Sequence, residues 1–256
     1  MKALRLLSLG WRLHFKMLSR SAFDGLLGVM WPLFFATIAF FMFRAGGGGA
    51  TLLYAALGAS VMGIWSATAV AASSALQRER WQGTLELLVG APAHFSLVLL
   101  PITLAMATLG IYSMAATLLW GRFLFGIGVR IEHPLLFVLA VPVMIVSIGM
   151  LGFLLSVTVV RYRTAWALGN SFEYPVWLIC GFLVPLSLLP GWVHPISWAL
   201  APTWGIRAIR EAALGGSPLA DIAVCAALGA GYTAAGILLI ETVLRSARSH
   251  ASLSLT

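Results

Sequence analysis

The residues best suited to catalysis are sparse in this sequence, and they do not fall into a catalytic spacing. The only lysines are Lys2 and Lys16, and neither follows a glycine-rich loop of the kind that cradles nucleotide phosphates. The five histidines form no H-E-x-x-H pattern, and no serine lies in a G-x-S-x-G elbow. We therefore predict that the chain is not an enzyme, has no metal or cofactor site of its own, and cannot hydrolyse ATP alone.

The most informative polar stretch lies between two apolar runs, from Gln77 to Pro92, and reads QRERWQGTLELLVGAP. Thr84 can cap a short helix, and Glu86 would complement the positive end of the helix dipole. Gly90 can end that helix. The pattern leaves two alternatives open: an ordinary solvated loop, or a short amphipathic helix held at the membrane face.

A second candidate is Glu173, which lies about two turns into a predicted apolar span. Ionisable groups inside a bilayer are costly, and they are often functional. One alternative places Glu173 on a translocation pathway or opposite a partner residue. The other places it at the inner interface, where it is hydrated or paired with Arg161 or Arg163.

The chain that positions these residues is too apolar for a water-facing globule. Of its 256 residues, 61% are hydrophobic and only 9% are charged, whereas soluble domains average roughly 25% charged residues. Backbone in lipid must satisfy its own hydrogen bonds, and a helix needs about 20 apolar residues to cross the bilayer. Six runs are long enough and contain no Asp, Glu, Lys or Arg: 25–43, 45–77, 87–121, 133–160, 174–206 and 222–240. We predict an all-α integral membrane protein with six transmembrane helices.

Two domains are predicted. Residues 1–22 hold a basic amphipathic helix over 2–20, whose spacing is typical of a helix lying on the membrane surface. Residues 23–256 form the six-helix transmembrane domain, with the polar segment at 76–92. The spans are predicted at 23–43, 51–75, 95–119, 134–159, from about 165 to 189, and 218–241.

The region before the last span does not fit a plain helix. Interior prolines break helices, because each removes a backbone hydrogen bond and clashes with the preceding turn. The run 174–206 contains five of them: Pro175, Pro185, Pro190, Pro195 and Pro202. We predict a re-entrant hairpin of short helices at 190–216 on the outer face, anchored by Trp192, Trp198 and Trp204. The alternative is a simple outer loop with an aromatic anchor.

The basic residues give an orientation. With the N-terminus inside, eleven lysines and arginines are cytoplasmic and five are outside, as the positive-inside rule favours. Both termini are then cytoplasmic. The net charge of +8 suits contact with anionic lipid, and nothing in the sequence calls for a nucleic-acid partner.

The polar segment also carries a family resemblance. It resembles the E-R-x-x-G-T-L-E pattern of type 2 ABC transporter permeases, with Trp81 and Gln82 at the variable positions. The matching residues are Glu79, Arg80, Gly83, Thr84, Leu85 and Glu86. The stretch PLSLLPGW is similar to the outer motif of that family, at Pro185, Pro190, Gly191 and Trp192, and the following segment matches at Pro202-Thr203-Trp204. The resemblance covers the whole chain.

The resemblance implies the membrane half of an ATP-driven exporter in a bacterial cytoplasmic membrane, closest to the branch that exports drugs and antibiotics. Two permeases, identical or related, would pair above two separate ATP-binding subunits, which would hold ATP and Mg²⁺. The segment from Glu79 to Glu86 would be the coupling helix, and the N-terminal helix would also meet the ATP-binding subunit. The pathway would run between the permeases, lined by the first, second and fifth spans.

The main alternative is a self-contained secondary transporter or channel. Such proteins commonly show internal repeats or charged groups near the bilayer midplane. We find no convincing repeat between residues 1–128 and 129–256, and no charge at a predicted midplane.

Overall fold

The computed structural model describes residues 2–20, 22–45, 49–81, 83, 96–161 and 171–250; within the helices, side chains are described for part of these ranges. Every regular element in this part of the chain is helical. The elements, in order, are α1 Lys2–Arg20, α2 Ala22–Ala45, α3 Gly49–Trp81, α4 Ser96–Phe125, α5 Pro134–Arg161, α6 Glu173–Ile179, a 3₁₀ helix Leu186–Leu188, α7 Val193–Trp198, α8 Ala201–Leu214 and α9 Leu219–His250.

The predicted spans coincide with long apolar helices at five of six places, namely α2, α3, α4, α5 and α9. Three stretches within them are by themselves long and apolar enough to cross a membrane: Ser96–Phe125, Pro134–Val157 and Leu219–Ile240. Shorter apolar stretches lie at Pro32–Arg44 and Leu52–Thr68. The helical, membrane-spanning character of the fold is thus confirmed, while the number six stays a prediction.

The prediction for the end of the fifth span is wrong. Helix α6 ends at Ile179, not near Leu189. Gly181 has a φ of +74°, which glycine adopts without steric cost, and the Phe182 N–H closes the helix end onto the Trp177 carbonyl at 3.1 Å. The apolar run that follows suggested a longer helix, but it forms bends and a 3₁₀ turn. The predicted start near Ala165 lies outside the described residues.

The predicted hairpin region, 190–216, contains two helices in the structure, while its re-entrant position on the outer face stays a prediction. A short helix, α7, is followed at once by the longer α8, which ends at Gly215 with a φ of +90°. The Gly215 N–H bonds to the Glu211 carbonyl at 3.1 Å. We call the segment Pro185–Gly216, with α7 and α8, the hairpin.

The core lies between α3, α4, α5 and α8 and consists mainly of aliphatic side chains around the fully buried Trp65 and Phe40. Close approach depends on small residues. A side chain at Gly110 of α4 would collide with Ile64 of α3, at 2.8 Å from its Cα. Interfaces between membrane helices favour small residues for this reason, and α3 and α4 therefore form a tightly packed pair.

Helix α1 is present as predicted, and its apolar surface divides into two faces. One face packs along α4: Trp11 donates from Nε1 to the Thr108 hydroxyl at 3.1 Å, and Phe15 stacks on Tyr112. The other face, a stripe at helical spacing, remains exposed. Its members are Leu6, Leu9, Leu13 and Met17. The second face is free to contact lipid, although the position of α1 relative to the bilayer stays a prediction.

Candidate functional site

The predicted coupling segment begins in the last turn of α3, where Glu79 and Arg80 belong to the helix backbone. Helix α3 ends at Trp81, and Gly83 follows in an exposed turn with a φ of +68°. A side chain at Gly83 would meet no neighbouring atom, so its glycine is required by backbone conformation alone. The side chains of Glu79 and Arg80, and the residues Thr84, Leu85 and Glu86, lie outside the described part of the structure.

Glu173 occupies the first turn of α6 and is buried, with 7% of its surface exposed. The Ser66 hydroxyl of α3 donates a hydrogen bond to its carboxylate. The two residues are 107 positions apart in the chain, so the bond fixes α6 against the middle of α3. The predicted alternative partners, Arg161 and Arg163, have no described side chains.

Aromatic side chains join α2 to α6 in the part of α6 that begins with Glu173. Phe35, Tyr174 and Trp177 form a triangle of edge-to-face contacts, with ring centroids 5.0 to 6.3 Å apart. Trp177 is buried, whereas Tyr174 is 51% exposed. Edge-to-face pairs of this kind add about 0.5–1.5 kcal/mol each beyond the area they bury. We call Phe35, Tyr174 and Trp177 the aromatic triangle. It presents a half-open apolar surface directly beside a carboxylate.

The residues of the predicted outer motif form the turns of the hairpin. The Pro185 carbonyl accepts from Leu188 N–H at 3.0 Å and begins the 3₁₀ helix. The Pro190 carbonyl accepts from Val193 N–H at 2.9 Å and begins α7. Trp192 is 71% exposed, and Pro202 lies in the first turn of α8. Prolines suit these places, since the first turn of a helix does not use their missing N–H.

Arg210 is a buried charged residue for which the sequence pattern predicted no role. It lies on α8 and is only 7% exposed. Its guanidinium donates to the carbonyls of Gly181 at 2.7 Å, of Phe182, and of Tyr54 at 3.4 Å. The same group stacks on the Tyr54 ring, with 3.4 Å between the guanidinium carbon and the ring centroid.

The Arg210 contacts join three elements at one point. Gly181 and Phe182 follow the end of α6, and Tyr54 lies on α3. A side chain at Gly58 of α3 would overlap the Phe182 carbonyl. The absence of a side chain at Gly58 therefore allows the Phe182 backbone to pack directly against α3. In the described part of the structure, no carboxylate pairs with Arg210. Its charge is instead stabilised by backbone carbonyl dipoles.

A sequence signal for Arg210 did exist. It shares the face of α8 that carries the buried Ile206 and Ile209, so a helical projection of α8 places an arginine among apolar residues. Charged groups on an apolar face at membrane depth usually have a specific partner. The sequence does not identify that partner, because the acceptors are as many as 156 residues away.

Two further side chains hold the hairpin. The Tyr232 hydroxyl of α9 donates to the Ala199 carbonyl at 2.5 Å and accepts from the Ala201 N–H at 3.0 Å, which bridges the break between α7 and α8. The His194 Nε2 hydrogen-bonds to the Leu186 carbonyl at 3.1 Å. These bonds satisfy backbone groups that a helix break leaves without intrahelical partners.

An ion-pair cluster lies at the end of α8. Arg207 and Glu211, four residues apart on α8, lie 4.0 Å apart, and Asp221 at the start of α9 is a closer partner of Arg207, at 3.3 Å. Arg207 also lies over the Trp204 ring at 5.0 Å. Burial raises the pKa of Glu211, and the nearby charge of Asp221 raises it further, while Arg207 opposes both effects.

A protein-family comparison decides which kind of membrane protein this is. The model of the ABC-2 type transporter family matches residues 5–214, from α1 through the end of α8. The chain belongs to the ABC-2 type transporter family. No curated protein matches it.

Family membership accounts for the arrangement. An ABC-2 permease is the transmembrane subunit of an ABC transporter, it generally lacks an ATPase site of its own, and it pairs with an ATP-binding subunit. In this ABC-2 permease Gly83 lies beyond the end of α3, and the hairpin contacts the start of that same helix, where the Tyr54 carbonyl accepts from Arg210.

Proposed function

We propose that this permease belongs to an ATP-driven exporter and moves a drug-like or lipophilic compound across a bacterial cytoplasmic membrane. The observation that carries the proposal is the continuity of α3. It runs for 33 residues, about 50 Å at 1.5 Å per residue. Near its start it contacts the hairpin through Tyr54, at its middle it holds Glu173 through Ser66, and at its end it carries Glu79 and Arg80.

A rigid helix with these two contacts and a charged last turn can transmit movement between the ends of the bundle. Two separate ATP-binding subunits would hold ATP and Mg²⁺, and closure of their dimer would push on the coupling segment. In this proposal Glu79, Arg80 and Glu86 make charged contacts with the ATP-binding subunit, and Gly83, Thr84 and Leu85 shape the turn and the short helix. The movement would reach Ser66 and Tyr54 as a rigid-body displacement of α3.

The proposed pathway lies between this permease and a second one, identical or related, beside α2, α3 and α6. Support comes from the exposed faces of α2 and α6, which are apolar and adjacent: Phe34 is 58% exposed, Phe41 61% and Leu178 53%. The aromatic triangle joins these faces. A lipophilic compound passing there would meet aromatic rings first, and Glu173 would lie behind them.

The orientation in this proposal places both termini in the cytoplasm and the hairpin outside. The charge distribution of the loops supports it. The exposed leucine stripe of α1 and its basic residues Arg5, Arg12 and Lys16 would then face inner-leaflet lipid.

The test is a charge swap in the complete transporter reconstituted in liposomes. The double variant Arg80→Glu with Glu86→Arg should insert normally and lower substrate-stimulated ATP hydrolysis by about tenfold or more, as expected when buried interfacial charges lose their partners. The control is Glu241→Arg with Arg245→Glu, a swap of equal charge on α9 outside the matched residues. Unchanged stimulation in the first variant would reject the coupling role. Transport that continues without ATP would indicate a secondary transporter instead.

A further inference from the structure

A depression of about 440 Å³ lies beside the C-terminal end of α4, at the same end of the bundle as the hairpin. Its lining consists of Leu118, Leu119, Arg122, Gly128, Val129 and Arg130. We call it the arginine pocket. Neither the coupling segment nor the proposed pathway uses any of these residues.

The loop that forms one wall of the arginine pocket is held in place by backbone hydrogen bonds. Gly126 ends α4 with a φ of +66°, and the Ile127 N–H then returns to the Gly121 carbonyl at 3.2 Å. Farther along, the N–H groups of Glu132 and His133 bond to carbonyls at the end of α8, at 3.2 and 2.9 Å. The pocket is therefore formed before any ligand arrives, which lowers the entropic cost of binding.

The pocket carries an excess of positive charge. Arg122 and Arg130 both line it, and both are exposed. Arg122 makes a long hydrogen bond to the Ile127 carbonyl, at 3.4 Å. Among the described side chains the one carboxylate paired with either arginine is Glu132, 3.6 Å from Arg130 and itself half exposed. Two guanidinium groups beside one carboxylate favour an anion, and guanidinium geometry matches phosphate oxygens well.

The apolar floor identifies the anion as a lipid. Leu118 and Leu119 lie directly below the arginines on α4, and the side chains beside them point outward, with Phe123 79% and Leu124 57% exposed. These residues end a helix that is long and apolar enough to cross the bilayer. A free anion would gain nothing from such a floor, whereas the acyl chains of a lipid would lie along it.

We propose that the arginine pocket binds the phosphate headgroup of an anionic phospholipid in the leaflet at the hairpin end, with its acyl chains against Leu119 and Phe123. This inference does not depend on the export function. Basic groups at a membrane surface each contribute enough to strengthen binding of anionic lipid about fivefold. The two arginines together should raise the affinity for anionic lipid about 25-fold relative to a variant that lacks both.

The test is native mass spectrometry of the full chain in mild detergent, titrated with phosphatidylglycerol or with phosphatidylethanolamine. The unaltered protein should retain phosphatidylglycerol at least fivefold better than phosphatidylethanolamine. The double variant Arg122→Gln with Arg130→Gln should lose that preference. Arg122→Lys with Arg130→Lys, which preserves charge, should keep most of it, and so should Arg44→Gln, which removes an arginine at the corresponding end of α2.

Three results would overturn the proposal. One is equal retention of the two lipids by the unaltered protein, a result that needs no variant to fold. Another is a phosphatidylglycerol preference that survives in the double glutamine variant or falls equally in Arg44→Gln. The third is displacement of phosphatidylglycerol by inorganic phosphate at matched concentration, which would make the pocket a site for free anions.

Discussion

The two ends of this permease use charged residues differently. At the hairpin end, Arg210 is buried and donates to backbone carbonyls of the same chain. At the coupling end, Glu79 and Arg80 stand at the last turn of α3, just before an exposed glycine turn, and we propose that they serve a separate subunit. The comparison suggests that the buried charge of Arg210 holds the chain's own fold, whereas the charges at the coupling end transmit force. Substitution of Arg210 should therefore lower stability, whereas substitutions at the coupling end should lower substrate-stimulated ATP hydrolysis.

The largest effect on stability is expected for Arg210→Ala. The change leaves the buried carbonyls of Gly181 and Phe182 without their donor and removes the stacking on Tyr54. Each buried polar group left unsatisfied costs about 1–3 kcal/mol, so the variant should lose about 3 kcal/mol or more. The stability of Arg210→Lys should lie between that of the unaltered protein and that of Arg210→Ala, since a lysine cannot bridge both carbonyls and also stack on the Tyr54 ring. Thermal unfolding in detergent measures the stability of both variants. If Arg210→Lys were as stable as the unaltered protein, the planar, multi-donor shape of the guanidinium would not be required here.

A smaller loss is expected for Tyr232→Phe. The hydroxyl is both donor and acceptor across the break between α7 and α8, and its removal should cost about 1–2 kcal/mol. The ring stays in place, so packing is preserved. Tyr112→Phe is the matched control, because Tyr112 contributes a ring contact with Phe15. Equal stability of Tyr232→Phe and the control would show that the hairpin does not depend on this bridge.

The smallest stability effect, with a functional effect beside it, is expected for Glu173→Gln. The amide oxygen can still accept from Ser66, so the free energy of unfolding should change by less than about 1 kcal/mol. The carboxyl group next to Tyr174 in α6 is replaced by an amide, however, and the stimulation of ATP hydrolysis by transported compounds should change. An alternative outcome, a large loss of stability with normal stimulation, would make Glu173 a structural link between α3 and α6 only.

Much of this fold could be predicted from the sequence, and the main error is the end of α6. Helices α1 to α5 and α9 follow from hydropathy and charge spacing, because lipid demands long helices with internally satisfied backbones. The end of α6 was misplaced because the apolar run after Cys180 looks helical, while Gly181 and Pro185 decide the backbone. The prolines of the run 174–206 do predict that the helix is broken there, while the re-entrant position of the hairpin stays a prediction.

The contacts of the candidate site could not be predicted from the sequence, and the roles of its motifs stay predictions. Glu173 was recognisable as a carboxylate within an apolar run, but its donor Ser66 lies 107 residues earlier. Arg210 seemed an ordinary outer arginine, because its burial depends on carbonyls of Tyr54, Gly181 and Phe182 that only the folded chain assembles. Bonds from side chains to distant backbone carry no sequence pattern.

The decisive experiment is to identify the proteins that copurify with the full chain after extraction in mild detergent. The unaltered chain should retain an ATP-binding subunit with a phosphate loop. The Glu241→Arg, Arg245→Glu control should retain it equally, and the Arg80→Glu, Glu86→Arg swap should weaken its binding. A second, related permease in the same sample would identify a heterodimer. Recovery of the chain alone, with transport in liposomes that needs no ATP, would rule out an ATP-driven exporter.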